Sequence, residues 1–162
     1  SDLALIQSRA TIRLDGEPMP KSTATCNSII NLMYRATAWA NVADNAASSP
    51  LTNTYVGMHT ADLTAGTNSQ AEDETAYTNY ARQAVARSTG WSAASGGATE
   101  NAATISFPQC GASGATLTHV STGVASSGST AVWHYGELNS PLAVSSGITP
   151  QFAAGALTIT ET

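Results

Sequence analysis

Short runs of alternating apolar and polar residues fill the chain after Pro50. Glycine, serine and asparagine separate these runs, and residues of this kind favour turns. Alternation with a period of two predicts strands, and many short strands divided by turns are typical of a β-sandwich or a small barrel. We therefore predict a mainly β domain over residues 51–162, with strands at residues 54–59, 80–87, 104–107, 115–121, 131–138, 141–144 and 156–160.

A helical pattern precedes this domain. Ile29, Ile30 and Met33 follow the spacings of three and four that place side chains on one face of a helix. Ser22 is a candidate N-cap, and Pro50 cannot continue a helix. The pattern predicts a single α-helix over residues 22–43.

Residues 1–21 show neither the strand pattern nor the helix pattern over more than a few residues. Ile12 and Leu14 alternate with polar residues, Asp15-Gly16 favours a turn, and two prolines after it favour an extended chain. Such an extended N-terminal arm has too few apolar groups to fold alone. Because an unpaired strand leaves its main-chain polar groups without partners, we expect the arm to lie on its own domain or on a neighbouring subunit.

The composition favours a protein that packs against other proteins. Only 10% of the 162 residues are charged, and about half are Ala, Gly, Ser or Thr. Small neutral side chains lose little conformational entropy when they become ordered, so they suit an assembled surface. The alternative interpretation is a stable extracellular or virion β-domain in which the Ser and Thr content reflects strand propensity.

The charge distribution argues against nucleic-acid binding. The net charge is −5, and the basic residues are scattered along the chain, without a patch that would neutralise several phosphates. No apolar run approaches the roughly 20 residues of a membrane-spanning helix, and the first segment lacks the layout of a signal peptide. We expect no nucleic-acid or membrane partner and synthesis in a host cytoplasm.

The sequence offers few candidates for chemistry. No Gly-x-Ser-x-Gly turn is present, and His59, His119 and His134 lie on separate predicted strands without ligand spacing. The acidic residues 72–74 lack the spacing of a calcium loop and are interpreted as solvated charges. Nothing brings a possible glycosidase pair, Glu100 and Glu137, together. We predict no enzyme activity and no catalytic, cofactor or metal site.

The two cysteines, Cys26 and Cys110, lie far apart in the sequence and have no metal-ligand spacing. They are interpreted as two buried small hydrophobic residues. A disulfide between them would tie the helix to the β-domain, and it would require an oxidising environment.

Aromatic residues allow two interpretations. A sugar-stacking surface would make a receptor-binding module, whereas Trp133 and Tyr135, two apart on one strand face, would otherwise pack at the core edge or at an interface. We favour the second. The predicted interface residues, taken from the arm, the helix and this strand, are Ile12, Leu14, Met19, Ile29, Ile30, Met33, Trp133 and Tyr135.

Several blocks of the sequence resemble one protein family. They are residues 43–62 (ADNAASSPLTNTYVGMHTAD), 77–82 (YTNYAR), 105–108 (ISFP), 117–120 (LTHV) and 147–159 (GITPQFAAGALTI). In order and spacing they are similar to small virion structural proteins of tailed bacteriophages. The resemblance covers roughly residues 24–162, and the arm departs from it.

The resemblance implies a virion component, foremost a capsid decoration (cement) protein on the head surface, with a tail or fibre part as the alternative. A compact domain without repeats favours the first, because a fibre shaft is expected to be repetitive. We expect a homo-oligomer, a trimer at a symmetry axis of the shell, that also contacts the major capsid protein. A receptor-binding module and, last, an enzyme are the rival classes.

Overall fold

A computed structural model describes residues 22–39, 51–64, 69–130 and 132–161. These residues form a mainly β, sandwich-like domain with antiparallel sheets and one helix, as the alternation predicted. The arm, with the predicted contact residues Ile12, Leu14 and Met19, lies outside the described residues. The elements are α1 (Thr23–Arg35), β1 (Asn53–His59), β2 (Gln83–Ala86), β3 (Ala98–Glu100), β4 (Ile105–Ser106), β5 (Ala115–Gly123), β6 (Val132–Val144), β7 (Gln151–Phe152) and β8 (Thr158–Thr160).

The largest sheet has four strands in the order β2-β1-β5-β6. Thr54 of β1 lies opposite Val85 of β2, and Val56 of β1 lies opposite Thr122 of β5. The pairs β3–β8 and β4–β7 form two small sheets. Because β2 and β6 lie at opposite ends of the strand order, the described strands make an open sheet and not a closed barrel.

The helix packs on the sheet through Tyr34, whose side chain is fully buried. The ring of Tyr34 meets Trp91 edge to face, with ring centroids 4.8 Å apart. Its hydroxyl hydrogen-bonds to the Thr122 hydroxyl of β5 at 2.7 Å. Buried apolar residues from α1, β1, β4, β5 and β8 share this core, which is therefore common to the helix and all three sheets.

The helix starts within one residue of the predicted position and ends early. The side chain of Ser22 accepts a hydrogen bond from a main-chain N–H of the first turn. Ala36 is left-handed, with φ of 54°, which terminates the helix, and the Arg87 guanidinium donates to carbonyls of the last turn. The helix predicted to residue 43 is thus too long: residues 36–39 are not helical, and residues 40–43 lie outside the described residues.

Most predicted strands are present, with two differences. The runs at 131–138 and 141–144 form one long strand, β6, because Pro141 lies on an edge strand and needs no second hydrogen-bond partner there. The short strands β3 and β7 escaped prediction, since two or three residues are too few to show alternation. Within the described ranges, no helix has the length and apolar character needed to span a membrane.

Both cysteines are buried, Cys26 in α1 and Cys110 between β4 and β5, and both are free thiols. This agrees with their interpretation as small hydrophobic residues, and no disulfide ties the helix to the β-domain.

Candidate functional site

The strand β6 offers the first candidate for a binding surface. It lies at one end of the four-stranded sheet, so among the described strands it pairs with β5 alone. Tyr135 and Leu142 on this strand are each 38% exposed. Large apolar side chains exposed on an edge strand are typical of a contact surface.

A groove of about 490 Å³ separates β6 from the segment that contains β8. Residues 134–140 of β6 and 156–160 along β8 line its two sides, and residues 120–122 of β5 line it as well. Because β5 is the inner neighbour of β6 in the sheet, the groove lies against the face of the β5–β6 pair. We call it the β6–β8 groove.

The floor of the β6–β8 groove is open at Gly136, which lies opposite Val120 of β5. A Cβ atom added to Gly136 would meet no other atom within 4 Å. At one end of the groove, His134 Nε2 lies 3.1 Å from a carboxylate oxygen of Glu161, and His134 Nδ1 lies 2.8 Å from the Tyr34 hydroxyl. The helix, β6 and the residue after β8 therefore meet at this end.

A buried ion pair anchors the loop before β2. Arg82 donates to both carboxylate oxygens of Glu74, at 2.7 and 2.8 Å. The same guanidinium donates to the carbonyls of Ala125 and Gly128 and to the Thr130 hydroxyl, at 2.8 to 3.2 Å. Arg82 is 6% exposed. Its bonds join the loop to the turn between β5 and β6, so the pair acts as an internal brace.

A second polar cluster surrounds His59, which is fully buried on β1. Nδ1 lies 2.8 Å from the Glu72 carbonyl, which can only accept, so Nδ1 carries the proton. Nε2 then accepts from the Ser121 hydroxyl at 2.7 Å, and Gln70 donates to Ser121 at 3.1 Å. Burial lowers the pKa of His59. The Ser-His pair resembles a nucleophile and its base, yet Ser121 and His59 are both enclosed within the chain.

The prediction that the acidic residues 72–74 are solvated is wrong for two of them. They were expected to be solvated, but Glu74 pairs with buried Arg82, and the Glu72 carboxylate accepts from the main chain and hydroxyl of Thr64. Only Asp73 is exposed. Two of the three carboxylates therefore hold the structure together.

The structure brings two of the three histidines together and places the third elsewhere. His59 and His119 lie opposite each other on β1 and β5, and His119 Nε2 is 3.4 Å from the exposed carboxylate of Asp62. His134 bonds to Tyr34 of the helix. In the part of the chain that the structure describes, no three His, Cys, Asp or Glu side chains are grouped to hold a metal ion. Glu100 and Glu137 lie on β3 and β6, which do not pair.

A comparison with protein-family models decides the family. The model described as Podophage GP4 fiber I protein gp80 matches residues 20–160, which is most of the chain. The chain belongs to this gp80 fibre protein family. Its members are phage virion structural proteins, so the resemblance to a virion component is confirmed, while the placement on the head remains a prediction. No curated protein matches the chain.

The predicted interface residues of this gp80 family member have different surroundings. Ile30 is fully buried in the chain's own core and offers no surface to a partner, which corrects that prediction. Ile29 and Met33 are partly buried, and Met33 packs against the core. Tyr135 is exposed on β6.

Trp133 and Tyr135 do not share a strand face. A β-bulge lies between the pairs Thr122/His134 and Gly123/Val132, and Trp133 is its extra residue. Tyr34 contacts the rings of both Trp133 and His134 as a result. Tyr135 is exposed. A bulge is recognised only by comparing the number of residues on two paired strands. The pattern of one strand alone could therefore not predict it.

Three further aromatic side chains, those of Trp91, Tyr77 and Tyr80, are engaged within the chain and are not free to stack on a sugar. Trp91 and Tyr77 are 1% and 2% exposed, and the Tyr80 hydroxyl bonds to Glu74. A substitution of Trp91 would therefore perturb folding before it reported on binding.

Proposed function

We propose that this protein is a non-catalytic structural subunit of a fibre on the phage particle. The family match over residues 20–160 carries the proposal, because the family is described as a fibre protein. The polar residues best suited to chemistry support a structural role, since His59 and Arg82 are buried and bonded within the chain.

The fibre subunit is proposed to act as a closed homo-oligomer, a trimer. Its exposed edge strand carries Tyr135 and Leu142, which lose contact with water when a second copy covers them. Charged residues are few, so copies of the chain repel one another weakly. A closed ring uses the same patches on every copy and leaves none uncovered.

The second candidate is head decoration, in contact with the major capsid protein. The described residues favour it in one respect: they share one core and show no stacked repeats of the kind that build a shaft. A gold-labelled antibody against this chain distinguishes the two on intact particles. Label on projecting fibres supports the proposal, and label spread over the shell supports decoration.

The oligomer is tested by light scattering on the purified full chain. A trimer has a mass of about 50 kDa, three times the 16.5 kDa of the chain. Replacing Tyr135 and Leu142 by serine should lower the mass to that of the monomer. Leu51 and Ile148, each 42% exposed and outside β6, provide the matched control pair. Equal effects of the two pairs, or a monomeric wild type, would contradict the proposal.

A further inference from the structure

The β6–β8 groove is a gap on the face of the β5–β6 pair that the surrounding side chains leave unfilled. Its volume is about 490 Å³, and binding pockets commonly measure about 300–1,000 Å³. Gly136 contributes no side chain, and a Cβ atom there would meet nothing within 4 Å. Leu157 and Ile159 on the β8 side and Phe152 of β7 give the lining an apolar character. The groove therefore has room for an apolar side chain from outside the described residues.

Few charges border the groove. Of its seventeen lining residues, Glu137 and His134 alone can carry charge near neutral pH. Residues 138–160 include no charged residue and no histidine, and they supply one whole side of the groove. The cores of protein interfaces are depleted of charge, because a buried charge needs a partner. Two copies of this chain, each with a net charge of −5, can therefore meet along this stretch without burying like charges.

The strand β6 carries an exposed bulge beside the groove. One residue of β5, Thr118, lies opposite four residues of β6, 138–141. The extra residues cannot all follow β5, so the strand bends there. Residues 139–143 are all exposed, and they include Leu142. Pro141 fixes one main-chain angle of the segment, so less conformational freedom is lost when the segment is covered. The bulge thus presents an apolar side chain on a segment that is partly ordered in advance.

We infer that the β6–β8 groove receives Leu142 and the exposed segment around it from a second copy of the chain, which rests on the self-association proposed above. Leu142 of one copy packs beside Gly136 of the next and loses contact with water there. In a closed ring, every copy uses one part of its surface as donor and another part as acceptor. Here the donor segment and the acceptor groove both belong to the region around β6, so each copy can contact two neighbours through it.

The variant Gly136→Phe tests this contact because it fills the groove with a side chain of the same molecule. Gly136 does not have a positive φ, and the space beside it is open. The variant should therefore fold, with a Tm no lower than that of the wild type. Its self-association should weaken at least about tenfold in sedimentation equilibrium, as expected when a central contact of an interface is lost. Gly136→Ala, which leaves most of the groove open, and Thr89→Phe, on an exposed turn, are the controls and should associate like the wild type.

The outcomes separate this contact from the self-association itself. A folded Gly136→Phe chain with weakened association supports the contact. A folded Gly136→Phe chain that associates like the wild type overturns the contact and leaves the self-association standing. A wild-type chain that stays monomeric overturns both. Normal self-association of Gly136→Phe, combined with its loss from assembled particles, would assign the groove to another virion protein and overturn the contact between copies.

Disulfide trapping between copies gives a second test that does not depend on the folding of Gly136→Phe. Protein with Gly136→Cys is mixed with protein that carries Pro141→Cys, Leu142→Cys or Ala143→Cys, and the native cysteines stay in place because they are buried. A disulfide requires Cβ atoms within about 4.5 Å, so at least one mixture should give a mixed disulfide, identified by mass spectrometry. Ser88→Cys, on an exposed turn, is the control partner and should give none. Failure of all three mixtures to cross-link, with a wild type that self-associates, would overturn the contact.

Discussion

The substitution Glu74→Gln removes one charge of the buried ion pair and keeps the shape of the side chain. Arg82 is 6% exposed and its guanidinium meets both oxygens of Glu74. Breaking a buried pair costs about 3–5 kcal/mol of unfolding free energy, because the remaining charge stays buried without its counterion. The Glu74 side chain keeps 17% exposure, so we expect a loss near the lower end, about 3 kcal/mol.

Urea and thermal unfolding measure this loss. For a chain of this size, about 3 kcal/mol corresponds to a fall in Tm of about 6–12 °C. Glu100→Gln, which changes an exposed carboxylate on β3, is the control and should cost less than about 0.5 kcal/mol. A loss of under about 1 kcal/mol for Glu74→Gln, similar to that of the control, would refute the role of the pair as a brace.

A double-mutant cycle separates the pair from its surroundings. Arg82→Met should cost more than Glu74→Gln, because it also removes the donors to the carbonyls of Ala125 and Gly128. The double variant should lose less than the sum of the two single losses, by about 1–3 kcal/mol. Strict additivity would show that the two side chains do not stabilise each other.

Three further predictions concern buried side chains of the domain. Burial holds the pKa of His59 below its ordinary 6.5, so the unfolded chain binds the proton at a higher pH than the folded chain does. In urea titrations, stability should be full above about pH 6.5 and should fall as the pH drops below that value, and the fall should be shallower in His59→Gln. Tyr34→Phe should cost about 1–3 kcal/mol because Thr122 and His134 lose a partner, while Tyr135→Phe should cost under about 0.5 kcal/mol in the same assay. A thiol reagent should find both cysteines unreactive in the folded chain and two reactive thiols in denaturant; no reactive thiol in denaturant would indicate a disulfide.

The sequence predicted the strands whose alternation reflects a buried face. Val56 and Met58 of β1 are buried side by side as the pattern required. The start of the helix was readable because Ser22 bonds locally to the first turn. The end of the helix could not be predicted in this way. Ala36 takes the left-handed conformation that glycine usually adopts at a helix end, and Arg87, about fifty residues further along the chain, bonds to a carbonyl of the last turn.

The Glu74–Arg82 ion pair and the β6–β8 groove both depend on contacts between residues that are distant in the sequence. A local sequence pattern cannot predict such contacts. In the sequence, Glu74 is one of three adjacent acidic residues and has no visible partner. In the folded chain, Arg82 bonds to Glu74 and also to the carbonyl of Gly128 in the turn after β5. The open floor at Gly136 follows from the pairing of β5 with β6 and from the position of β8 beside them. Only the assembled fold juxtaposes these elements.

Cryo-electron microscopy of the parent phage particle would locate this domain on the virion. For a fibre subunit, we expect density for the domain in a fibre that projects from the particle, with copies related by a closed symmetry axis and with β6 at a contact between them. Density for isolated copies spread over the shell, each seated on the capsid surface, would contradict the fibre assignment and establish head decoration.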